Sequence, residues 1–263
     1  MITQVRAPAV AGLFYPAEAQ ELRQMIQGLL RQTVAATAPA PKAMIVPHAG
    51  YVYSGAIAAT AYARLAAVSD TITRVILLGP SHRLPFMGLA ATRMTHFATP
   101  LAQVAIDHQA IDSILTLPQV TVLDEAHLHE HSLEVHLPFL QEVLTHFTLV
   151  PLVVGEATPQ QVSDVLEQLW GGKETLIVVS SDLSHYYDYQ TAQQLDQSTS
   201  QAIEHLHFEA IEHQQACGYH PLKGLLYFAR DHALKAQTLD LRNSGDTAGP
   251  KHQVVGYGAY VFN

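Results

Sequence analysis

The sequence predicts a three-layer α/β/α domain with a mixed, largely parallel central sheet. Two observations lead there. Near-continuous apolar, β-branched runs recur along the chain, a pattern suited to strands buried on both faces. Helical patterns alternate with these runs, as they do where helices cover both sides of a sheet.

In chain order, residues 16–31 open with Pro16 and an acidic first turn and read as a helix. "TVAATAPAPK" (33–42) is a linker-like piece joining that helix to the core. "AMIVP" (43–47) is the first buried strand, 54–67 an alanine-rich helix, and "RVILLG" (74–79) the second strand. "MGLAATR" (87–93) and "AQVAID" (102–107) alternate more weakly and are expected to pair as an antiparallel hairpin around "MTHFATPL". A helix is expected over 132–146, a strand over "FTLVPLVVG" (147–155), a helix over 159–170 and a strand over "TLIVVSS" (175–181). Helices over 190–206 and 221–235 follow, the second opening with Pro221, and "VVGYGAYVF" (254–262) closes the sheet. No internal repeat interrupts the pattern, and 1–263 reads as one domain.

Composition narrows the function. At 263 residues and 48% hydrophobic content the chain can bury a large core. Fourteen Lys and Arg against 23 Asp and Glu give a formal charge of −9, which disfavours nucleic acid and anionic membranes as partners. The 16 histidines raise the expectation of a metal or proton-transfer site. One cysteine, Cys217, excludes an intramolecular disulfide and suits a reducing cytoplasm. No signal peptide and no apolar run of about 18 residues is seen, so a cytoplasmic location is expected.

Three of the predicted strands end in the same way. "AMIVP" runs into His48, "RVILLGP" into Ser81 and His82, and "TLIVVSS" into Asp182 and His185. In open α/β sheets ligands bind outside the carboxyl ends of the strands, so these residues are expected to converge. Gly50 is expected to let the chain turn away from such a pocket, and Tyr51 and Tyr53 to shape its wall. Cys217 lies just before a predicted helix start, where partial positive charge favours the thiolate; the alternative role is a small buried hydrophobe.

"HLHEHSLEVHLPFL" (127–140) misses both zinc-helix motifs, because Leu133 and Val135 stand where histidines would be needed. On a helix, His131 and Glu134 would share a face, as would Glu130 and Glu134. The segment can then orient a ligand histidine, or it is an exposed acidic helix start. A serine hydrolase built from Ser181, Asp182 and His185 lacks a G-x-S-x-G elbow, and no nucleotide-binding glycine motif is present.

The blocks "VPHAGYVYSG" (46–55), "LLGPSH" (77–82), "TPL" with "VAID" (99–107), "EHSLEVHLPFL" (130–140), "SSDLSHY" (180–186), "CGYHP" (217–221) and "SGDTAG" (244–249) together resemble the MEMO family. Its bacterial and archaeal members are also called AmmeMemoRadiSam system protein B. The resemblance implies a fold similar to class III extradiol ring-cleaving dioxygenases. It also implies a metal pocket in which His48, His82 and Cys217 are the ligands, with Asp182 and His185 beside them. One departure is Arg83, where relatives often carry a second histidine.

A sulfur ligand in place of a carboxylate suits iron(II) but also copper(I) and zinc(II), so the dioxygenase likeness does not license ring cleavage. Three readings stay open. The first is iron- or copper-dependent redox chemistry on a small aromatic or phenolic molecule, with His185 as general base. The second is a non-catalytic metal- or partner-binding module working with radical-SAM and AMMECR1-like proteins. The third is a zinc hydrolase.

Overall fold

A computed structural model describes residues 4–33 and 39–263. Its strands are β1 (Val5–Arg6), β2 (Ala43–Val46), β3 (Arg74–Pro80), β4 (Leu89–Ala91), β5 (His96–Ala98), β6 (Gln103–Ala105), β7 (Val120–Val122), β8 (Thr148–Val154), β9 (Thr175–Ser180), β10 (His185–Tyr187), β11 (Ala236–Asn243) and β12 (Val254–Phe262). The helices are α1 (Ala19–Arg31), α2 (Tyr51–Tyr62), α3 (His108–Ile114), α4 (Glu125–Leu128), α5 (Leu137–Val143), α6 (Pro159–Leu169), α7 (Tyr189–Glu204) and α8 (Tyr219–Asp231).

The large sheet runs β10-β12-β2-β9-β3-β8-β4-β7, with β11 on the other edge of β12. Its centre, β2-β9-β3-β8, is parallel throughout, so these four strands end at one edge. Their residues are almost all fully buried, which is why they read in the sequence as unbroken apolar runs. Antiparallel pairings of β12 with β2 and of β4 with β8 flank this centre. Helices α1, α2 and α5 pack among themselves, as do α3, α6 and α8, and the sheet lies between helical layers. α8 approaches α6 closely at Gly224, where a Cβ would meet Val162 at 2.3 Å.

Some expectations are corrected. The weak segments at 87–93 and 102–107 do not pair with each other. β4 joins the large sheet beside β8, whereas β6 pairs with β5, whose residues lie inside the intervening "MTHFATPL". The helix expected over 132–146 is confined to α5, preceded by a 3-10 turn at Glu134–His136. Conversely, α2 starts three residues early, at Tyr51, because the Phe14 carbonyl accepts the Tyr51 N–H at 2.8 Å and satisfies an orphan donor of its first turn. Half of the linker expected at 33–42, residues 34–38, lies outside the described residues; Lys42, at its end, donates to the carbonyls of Trp170, Gly172 and Thr175. Among the described residues no helix is long and apolar enough to cross a membrane.

Candidate metal centre

The parallel strands deliver the predicted residues to one place. His48 follows β2, His82 follows β3 and Asp182 follows β9, and all three line a cleft of about 920 Å³ together with His131, His185 and Cys217. The His48 and His82 ring centroids are 5.1 Å apart, and the His131 ring stacks on His82 at 4.6 Å. Donor atoms of His48, His82 and His131 lie within 4.8 Å of one another, a spacing that can hold a metal ion. Cys217 is not in that set of three, although its Sγ lies 3.2 Å from His48 Nε2.

The hydrogen bonds fix which nitrogen of each ring is available. The Ser180 hydroxyl donates to the Ser132 carbonyl at 2.6 Å, so its lone pair must accept from His48 Nδ1, also at 2.6 Å. His48 Nε2 is thereby left as the basic nitrogen, its lone pair facing the Cys217 thiol at 3.2 Å. Burial first, and the neighbouring imidazoles second, push the His48 pKa well below its ordinary value, so the ring is neutral at pH 7.

His82 is set in the same way by Glu130. Oε2 accepts the His82 backbone N–H at 2.6 Å and Oε1 faces Nδ1 at 2.9 Å. Burial would raise the Glu130 pKa, but the bonds from His82 and from the Ser132 N–H outweigh it and hold it at about 2. The ionised carboxylate accepts from Nδ1–H and leaves His82 Nε2 free, as carboxylates do behind metal-bound histidines. Glu130→Gln is therefore expected to lower metal affinity by about 10- to 100-fold, read by titration of the apo-protein. Unchanged affinity would remove Glu130 from the site.

His131 was expected on a helix face and is instead held in an irregular segment. Glu130 Oε1 accepts the backbone N–H groups of His131 and Ser132, and Ser132 Oγ donates to the Pro80 carbonyl. Gly79 permits this approach, since a Cβ there would meet Ser132 Oγ and Leu133 at 2.8 Å. The His131 pKa falls to about 4, through burial first, with the charges of His82 and Arg83 adding to the drop and Glu130 opposing it. Its Nδ1 is buried and makes no hydrogen bond, although Glu130 Oε1 lies 3.4 Å away. The density of histidines in "HLHEHS" was the signal available for it, and helical periodicity pointed that signal the wrong way.

Glu134 does not orient a ligand. It pairs with the buried Arg6 at 2.7 Å, accepts the N–H groups of Ala9 and Val10, and takes the Tyr15 hydroxyl at 2.5 Å. Arg6 in turn donates to the carbonyls of His127 and Glu130. This network pins the segment bearing Phe14, whose ring lies 4.8 Å from that of His131.

Asp182 is a clamp as well as a neighbour. Its Oδ1 accepts the N–H groups of His48 and Ala49, and its backbone N–H donates to Cys217 Sγ at 3.2 Å. Burial raises its pKa, opposed mainly by the charge of His185. His185 Nδ1 donates to the Leu183 carbonyl at 2.8 Å, so that carbonyl, rather than Asp182, sets its tautomer and leaves Nε2 basic. Cys217 is partly buried, and Gly218 lets its loop lie on the end of β9, where a Cβ would meet the Ser180 carbonyl at 2.6 Å. The expected thiolate is reversed in the metal-free protein: burial, then the charge of Asp182, push the thiol well above its ordinary pKa. Only a cation beside the sulfur would overturn that balance.

Two smaller expectations also change. Gly50 has φ −54°, and a Cβ there would meet the Phe14 carbonyl at an ordinary 3.5 Å, so no glycine is required. Tyr53 lines the cleft, but Tyr51 is buried behind it, donating to the Val135 carbonyl at 2.6 Å.

A family model described as "Memo-like protein" matches residues 6–261. The chain belongs to the Memo-like family. A MEMO1 family protein of Saccharolobus solfataricus is 34% identical, over 98% of this chain and 99% of that one. Another, from Aquifex aeolicus, is 36% identical over 98% and 99%. Among solved structures, the uncharacterized protein JW3007 from Escherichia coli K12 matches with a TM-score of 0.52 at 13% identity, over 83% of this chain and 98% of that one. That likeness concerns the fold alone. This Memo-like chain thus combines a parallel-sheet core with a cluster of three histidines at the strand ends.

Proposed function

We propose that this member of the family is a metal-dependent redox protein in which His48, His82 and Cys217 hold iron(II), with copper or zinc as the competing ions. The observation that carries the reading is the pair of imidazoles whose Nδ1 atoms are tied to Ser180 and Glu130, leaving Nε2 as the basic nitrogen of each within one donor cluster, that of His48 facing the Cys217 sulfur. His131 is a further donor within that cluster. A bound iron or copper ion would supply Lewis acidity and a one-electron couple.

The remaining chemistry belongs to the chain. His185, with Nδ1–H bound to Leu183, offers Nε2 as a general base that takes the proton of a phenolic or similarly acidic small molecule in the cleft. Asp182 holds the His48 loop and places negative charge beside the cation. The reading includes a single domain, a reducing cytoplasm, and radical-SAM and AMMECR1-like proteins as partners.

The test begins with anaerobic purification and metal analysis, followed by oxygen uptake with catechol as probe. Stoichiometric iron or copper with catechol-dependent uptake supports the reading. Zinc with metal-dependent ester hydrolysis contradicts it. His185→Ala is expected to retain metal and lose turnover, and loss of stoichiometric metal in that variant would make His185 a ligand instead.

A further inference from the structure

We propose that the cleft recognises an amphipathic organic anion, a flat apolar body carrying a carboxylate or phosphate head, and that Arg83 binds the head. The inference rests on reading the cleft as a small-molecule site and adds the class of molecule.

Arg83 is exposed on the cleft wall, immediately after His82, and among the described residues it makes no ion pair and no side-chain hydrogen bond. Of the other eight arginines, Arg6, Arg23, Arg74, Arg93, Arg230 and Arg242 each pair with a carboxylate, whereas Arg31 and Arg64 make no ion pair among the described residues but do not line this cleft. The acidic groups closest to the site are already engaged. Asp182 Oδ1 takes the N–H groups of His48 and Ala49, and Glu130 takes His82 and the amides after it. Neither forms an ion pair with the Arg83 guanidinium. In a chain of formal charge −9 the long-range field repels anions, so recognition of one depends on a local cation. A guanidinium is a planar fork of donors that matches carboxylate and phosphate oxygens.

The apolar body is indicated by what surrounds Arg83. Among the described residues seven large hydrophobics are exposed, and four of them, Leu13, Val52, Tyr53 and Tyr186, line this cleft. Tyr186 has φ +64°, a left-handed conformation that costs a bulky side chain energy, and its ring is nevertheless 70% exposed. Apolar exposure concentrated at one opening marks a binding site more than it marks chance.

The experiment is calorimetric titration of the purified protein with 4-hydroxyphenylacetate, phenyl phosphate and the neutral 4-hydroxyphenylacetamide, with metal content read in parallel. At least one anion is expected to bind about tenfold or more tightly than the amide, in line with a charge-assisted hydrogen bond. Arg83→Gln should abolish that preference, and Arg83→Lys should keep part of it. Which anion is favoured assigns the head group. Equal binding of amide and anions, a preference that survives Arg83→Gln, or no binding of any probe would overturn the proposal. Any of these results with metal retained leaves the metal reading standing. Anion preference in a protein that binds no metal would sink the metal reading alone.

Discussion

Replacing Glu134 with alanine is expected to destabilise the protein by about 3–5 kcal/mol, the usual result of removing one partner of a buried ion pair. For a chain of this size that corresponds to a fall in melting temperature of roughly 6–20 °C. Arg6 and Glu134 have side chains 1% and 0% exposed, so Arg6 would be left as an uncompensated buried cation. The N–H groups of Ala9 and Val10 and the Tyr15 hydroxyl would lose their acceptor as well. Glu134→Gln, which keeps an acceptor oxygen, should fall between alanine and wild type. Thermal unfolding of the metal-free proteins checks this; a loss under about 1 kcal/mol from alanine would mean that the pair is worth no more than an exposed one.

The same network separates what was legible in the sequence from what was not. His48, His82 and Asp182 could be read because each follows a strand buried on both faces, and parallel strands ending at one edge must bring their following residues together. The last strand was equally plain, with β12 covering the residues expected of it. β11 was missed because it is half-buried along nearly its whole length and carries no apolar run. β7, at Val120–Val122, is too short to show a period.

His131 and Glu134 were misread for a different reason. A 3.6-residue periodicity describes a chain whose backbone bonds are local, but this segment is shaped by partners distant in sequence: Arg6, Pro80 and Ser180. No local pattern encodes those contacts. The state of Cys217 was misjudged because proximity to a helix start was weighed without burial, which dominates.

The ligand role of Cys217 joins the histidine cluster to the proposed chemistry and is open to one direct test. In the metal-free protein the thiol is held protonated, whereas His48 and His131 are already neutral. Coordination by sulfur must therefore expel a proton that coordination by these imidazoles does not. The measurement is anaerobic titration of the apo-protein with Fe(II) near pH 7, in buffers of different ionisation enthalpy. Wild type is expected to release about one proton more per ion than Cys217→Ser, with affinity rising about tenfold more steeply per pH unit. The serine variant should also bind at least about tenfold more weakly. Equal proton release and equal affinity in the two proteins would contradict the account, and a large loss of affinity in His131→Ala alone would make His131 the third ligand.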